Sequence, residues 1–176
     1  MKKVLQWELQ GMVFIIFLGS FLHFAFELSG GWWPIGIIAA VNESVFEHLK
    51  LGIWPAFFYT ILESKQVRGD TTNFGVAKAA SMYLIPLTIV VLFYSYTTIL
   101  GHGLLAIDIA IFIIAVVVGQ GVSYKLLTSF SLHEKWERVA WLAMLVLLLV
   151  TVLFTFFPPH LAIFQDSTTG DYGIPS

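Results

Sequence analysis

The stretch Asn42-Glu43-Ser44-Val45-Phe46-Glu47-His48-Leu49-Lys50 gathers more chemically able side chains than its apolar surroundings. Read as a helix, it places residues four apart on one face, so Glu43 stacks above Glu47 and Ser44 above His48. Carboxylates about 6 Å apart repel unless a proton, a cation or a metal lies between them. His23 and Glu27 repeat the same spacing in an earlier apolar run. Imidazole and carboxylate drawn from facing helices are how bundle interiors assemble metal sites. The expectation is a divalent metal, zinc or similar, ligated by His48, His23, Glu47 and Asp108, with Glu43, Glu47 and Ser44 as the catalytic set. Glu27, Asn42, His102, His160 and Asp166 are secondary candidates.

Each of these residues has a structural reading beside the chemical one. A carboxylate at a helix start, as at Glu43, is favoured by the helix dipole. His23 can serve as an interhelical hydrogen-bonding residue. Glu47, His48 and Lys50 can form an ion-pair network that only fixes packing, and His102, in the turn Gly101-His102-Gly103, reads as a solvated loop residue. Asp108 is harder to dismiss, because an ionisable group inside an apolar helix is expensive and faces a partner or a wet cavity.

The elements that must position these groups follow from composition. The 176 residues are 58% hydrophobic and 11% charged, with no cysteine and a formal charge of -2. With a mean hydropathy of +0.86, the bilayer has to act as the solvent for so apolar a chain. The absence of cysteine excludes disulfides and thiolate metal sites, and without a basic stripe nucleic acid is not expected as a partner. Phosphate-binding, H-E-x-x-H and G-x-S-x-G motifs are absent as well.

A span needs about 20 mostly apolar residues. Five windows qualify, at about 8–28, 42–63, 75–98, 103–127 and 137–157, followed by a tail over 158–176. The expected fold is therefore an all-α integral membrane bundle of about five transmembrane helices in a single membrane domain. Met1-Lys2-Lys3 before an apolar run resembles a signal peptide, but His23, Glu27 and the lack of a cleavage site make it a retained first helix. Asn42 reads as the N-cap of a helix starting at Glu43. Pro55 and Pro86 fall inside spans, and Lys78 and Lys125 are expected to snorkel to the interface.

Lys2, Lys3, Lys65, Arg68, Lys78, Lys125, Lys135 and Arg138 all fall at one end of the alternating arrangement, and Lys50 alone falls nearer the other. By the positive-inside rule this puts the N-terminus in the cytoplasm and the tail outside. His23, His48, His102 and His160 then share the outer end. The tail, anchored by Leu161, Ile163 and Phe164, is expected to fold back over the polar cluster.

The segment V-N-E-S-V-F-E-H-L-K-L-G-I-W-P (Val41 to Pro55) and the tail F-F-P-P-H-L-A-I-F-Q-D-S-T-T-G-D-Y-G-I (Phe156 to Ile174) resemble a family of small bacterial multispan membrane proteins of unknown function. Ser44-x-x-x-His48 is also similar to a motif of the alkaline ceramidase and progestin-receptor-like membrane hydrolases, in which Ser, Asp and three His surround a zinc. This chain departs from that pattern in having five spans and no late H-x-x-x-H.

The expected function is a metal-supported site at the outer face of the cell membrane, bacterial inner or plasma membrane, hydrolysing a lipid or other amphipathic substrate. A small-cation or proton-coupled transporter is the alternative, and an accessory subunit of a membrane complex a third. Beyond the lipid bilayer, the expected partners are a lipid or small-molecule ligand and a second copy or membrane protein. Ala77-x-x-Ala80-Ser81 offers the last of these a small-residue face.

Overall fold

The computed structural model describes residues 1–129 and 131–175. Five long helices run through it: α1 (Lys2–Leu28), α2 (Val45–Val67), α3 (Phe74–Leu100), α4 (Leu105–Leu127) and α5 (Glu134–Phe156). Among the described residues, four of these, α1, α3, α4 and α5, are long and apolar enough to cross a membrane. α2 is long enough but carries Glu47, Lys50, Glu63 and Lys65, which take it out of that class. It runs through the middle of the bundle, packed on α1, α3 and α5. The protein is an all-helical membrane bundle in which the most polar helix is kept inside.

The packing follows from side-chain size along each helix. On α1 the buried residues Val4, Glu8, Gly11, Ile15, Gly19, Leu22 and Phe26 recur every three or four positions, while Val13, Phe17, Phe21 and Phe24 face outward. Such a stripe presents one face to the interior and an apolar one to lipid. At Gly19 the backbone of α1 approaches α2 so closely that a Cβ would collide with the carbonyl oxygen of Leu51. Pro55 and Pro86 lie within continuous helices. Gly101 ends α3 at φ 78°, a left-handed conformation that glycine adopts without penalty, and the chain turns straight into α4 beside it.

Three readings of the sequence are corrected. α2 begins at Val45, and its N-cap is Ser44, whose hydroxyl accepts from the Glu47 amide; Asn42 instead accepts from the Ser44 amide outside the helix. Lys78 does not snorkel: it is buried between three helices, because two carboxylates wait for it there. Of the Ala77-x-x-Ala80-Ser81 face, Ala77 and Ser81 are internal, with Ser81 bonded to Gln120 of α4, and Ala80 is half-buried, so the face is packed within the bundle more than it is exposed.

Between α1 and α2 the chain makes a 3-10 turn at Ile35–Ile37 and buries Ala39, Ala40 and Val41 against Leu22 and Phe26. The tail folds back over this region. Asn42 Nδ2 donates to the Gly173 carbonyl (2.8 Å), the Glu43 amide to Asp166 Oδ2 (3.2 Å), and Ser167 Oγ to the Glu43 carbonyl (3.1 Å).

Candidate metal centre

The first turn of α2, the loop before it and the facing stretch of α1 bring three donor atoms together. His48 Nε2 lies 3.1 Å from His23 Nε2 and 3.5 Å from Glu43 Oε2, and His23 Nε2 lies 4.0 Å from the same oxygen. A point equidistant from the three atoms is about 2.1 Å from each, the length of a zinc bond to imidazole or carboxylate. Among the described residues, no other group of three or more His, Cys, Asp or Glu converges in this way.

The backbone fixes the ring of His48. His48 Nδ1 is 2.8 Å from the Ser44 carbonyl, which can only accept, so Nδ1 carries a hydrogen, and Nε2 faces the centre with either a lone pair for a cation or a proton shared with His23 and Glu43. A backbone carbonyl on the far nitrogen is the usual way a ligating imidazole is oriented. Two imidazole nitrogens at 3.1 Å beside a carboxylate oxygen require a proton or a metal between them. Hydrogen bonding from His48 holds the Glu43 carboxyl below its ordinary value, against the burial that would raise it, so Glu43 is an anion at neutral pH.

Two cavities meet at the triad. One, of about 500 Å³, is bounded by His23, Glu27, Asn42, Glu43 and the backbone at Gly30 and Gly31. The other, of about 830 Å³, has His23, Glu43, His48, Asp108 and Asp166 on its polar side and Ile89, Phe93, Ile109 and Phe112 on its apolar side. Tyr94 and Ile109 line it and are also exposed on the flank of the bundle, so it reaches the side that faces lipid.

The other residues singled out from sequence fall into place around this geometry. Asp108 lines the larger cavity with Oδ1 hydrogen-bonded by Tyr96, outside the triad. Glu27 borders the smaller cavity and is exposed. His102 is exposed in the α3–α4 turn, and His160 packs edge-on against Tyr172 at 4.6 Å. Asp166 accepts from the Thr168 and Thr169 amides, the Thr168 hydroxyl and the Glu43 amide. Burial pushes its carboxyl up, but these bonds outweigh it and hold the group below its ordinary value. Asp166 and Asn42 thus pin the loop that carries Glu43.

Glu47 and Ser44 do not take the places expected of them. The Glu43–Glu47 stack needs both residues on one helix, and Glu43 precedes it. Glu47 turns inward: Oε2 meets Lys50 Nζ at 2.5 Å and accepts from the Val41 amide at 3.0 Å, while Oε1 accepts from Thr155 at 2.9 Å. Lys50 also donates to the Gly36 carbonyl and to Thr155. Every polar atom of this buried pair is satisfied, and it ties α2, α5 and the Ile35–Ile37 turn together. Ser44 is buried with its hydroxyl on the Glu47 amide and shapes the site through its carbonyl on His48.

Sequence reasoning passed over a second set of charges, at the opposite end of the bundle. Lys78 lies 2.5 Å from both Glu8 and Glu63. The only local signal was a charged residue inside each of three apolar windows. No curated protein and no solved structure matches the chain. Residues 1–174 match a family of unknown function (DUF6512), and the chain belongs to that family.

Proposed function

We propose that this protein is a metal-dependent hydrolase of the cell membrane that acts on a lipid or other amphipathic substrate. One observation carries the reading: three donors from α1, α2 and the loop between them converge at zinc-bond distance on one side of a cavity that is polar at the triad and apolar beyond it. Three protein ligands leave a coordination position for water, the arrangement of catalytic rather than structural zinc. A metal held by His23, Glu43 and His48 would supply an acidified water. Asp108, with Oδ1 held by Tyr96, is the carboxylate in the same cavity assigned to take the proton. At about 830 Å³ the cavity has room for a head group and part of a chain. With the charge rule for orientation, the site belongs at the outer leaflet.

The test is elemental analysis of protein purified in detergent and equilibrated with zinc, beside the H23A, H48A and E43Q variants. About one ion per chain in the wild type, lost in H48A without loss of helicity, is the expected result. Wild-type protein that retains no more zinc than H48A overturns the metal centre. A fluorogenic lipid ester or amide presented in mixed micelles tests the reaction: zinc bound without zinc-dependent turnover leaves the centre and removes the hydrolase.

A second reading, transport of a small cation coupled to protons, is favoured by the buried charges that continue beyond the triad, through Glu47 and Lys50 to Glu63, Lys78 and Glu8. Zinc-dependent proton flux across proteoliposomes, with no hydrolysis, is its signature.

A further inference from the structure

The charges at the Lys/Arg-rich end do not balance. Glu8 on α1, Glu63 on α2 and Lys78 on α3 are 1%, 0% and 2% exposed, two carboxylates around one ammonium. Lys78 Nζ is 2.5 Å from Glu8 Oε1 and 2.5 Å from Glu63 Oε2; it also donates to Ser123 of α4, whose hydroxyl passes the bond on to Glu8 Oε1. The far oxygens, Glu8 Oε2 and Glu63 Oε1, are buried without a hydrogen-bond partner. The contrast with Glu47 and Lys50 is direct, since that pair is one to one and every oxygen is satisfied. A net negative charge enclosed away from water is costly, and protein sites relieve it by taking up a proton.

We propose that Glu8, Glu63 and Lys78 form a proton-binding site that carries one exchangeable proton, shared between the two carboxylates. The proton converts one carboxylate to a carboxylic acid and leaves the other as the partner of the Lys78 ammonium, so the enclosed charge sums to zero. A metal cation fits poorly. It would have two unpartnered oxygens to bind, with the ammonium already lying between the carboxylates. The remaining polar groups around the site do not supply the missing charge. Tyr59 of α2 donates its hydroxyl to the Trp7 carbonyl, Ser81 and Gln120 bond each other, and Glu137 of α5 accepts from the Gly75 amide, one turn from Lys78. Glu137 is a further acid, not a cation. The site is independent of the metal centre, and its failure would leave that centre untouched.

Infrared spectroscopy of the protein in lipid at neutral pH tests the count, because a protonated carboxyl has its own carbonyl stretch, distinct from that of a carboxylate. The wild type is expected to show this band, exchanging in heavy water. E63Q and E8Q each leave one carboxylate for one ammonium, so each is expected to lose it. K78M leaves two carboxylates without a cation, and the band is expected to grow. A wild type without the band, or a band that survives in both E8Q and E63Q, overturns the proposal. Thermal unfolding gives a readout independent of the band: wild-type stability is expected to fall as pH rises and the proton is stripped, and E63Q to lose that dependence. The same slope in both proteins overturns the proposal equally.

Discussion

Replacing Glu47 by glutamine separates a structural ion pair from a metal ligand. Lys50 is 0% exposed, and in the wild type its ammonium meets one carboxylate, one hydroxyl and one carbonyl. E47Q removes the only countercharge that Lys50 has among the described residues and leaves a cation in the interior. Breaking a buried pair in this way costs about 3–5 kcal/mol, which is roughly two to four decades in the folding equilibrium. Removing both charges, in E47Q/K50M, withdraws the uncompensated cation. The residual deficit is the Gly36 carbonyl, which loses the Lys50 ammonium, at about 1–3 kcal/mol. Thermal unfolding in detergent, followed by circular dichroism, is expected to rank wild type above E47Q/K50M and both well above E47Q. H48A, which leaves no buried charge behind, stays close to wild type in stability. An E47Q protein that melts with the wild type and has lost its zinc would refute the reasoning and return Glu47 to the metal site.

Gly19→Val tests the close approach of α1 to α2. The atom in the way is the Leu51 carbonyl oxygen, which cannot swing aside, so a loss of about 1–3 kcal/mol is expected. Gly121→Val, where nothing lies within 4 Å, is the control, and equal melting temperatures for the two would show that the contact is slack. Tail docking has a pH dependence of known sign. The Asp166 carboxyl is held below its ordinary value of 3.8, so its contribution is complete above that value and is lost as pH falls through the lower one. Hydrogen-exchange protection of the Asp166 and Gly170 amides is expected to be constant between about pH 5 and 8 and to collapse in stronger acid. Protection that persists in strong acid would assign the docking to Asn42 and Ser167 instead.

Length and hydropathy were enough to find all five helices, because crossing hydrocarbon leaves a chain little freedom in where it turns polar. They were less able to say which helix faces inward: α2 qualified on its apolar stretch between Leu51 and Leu62, yet Glu47, Lys50 and Glu63 toward its ends belong to the interior. The same cause decided what was legible in the sites. His23 and His48 were read as facing each other because the alternating topology puts the end of the first span and the start of the second at the same end of the bundle. Glu43 was legible as a participant, but its role turned on a boundary two residues away. With α2 starting at Val45, Glu43 is released from the helix to reach His48, and Glu47 is rotated toward Lys50. Glu8 and Lys78 are 70 residues apart, and Glu47 and Thr155 are 108 apart. Pairings at that range leave no periodicity in a single sequence. Lys78 was instead assigned to the membrane interface, the ordinary place for an isolated cation.

The hold of the tail on Glu43 joins distant parts of the sequence at one point. Asp166 lies 123 positions beyond Glu43, so the loop between α1 and α2 is held by a segment that follows the last long helix. Shortening the tail ahead of Asp166 is therefore expected to free Glu43 from its anchor while leaving His23 and His48 on their helices.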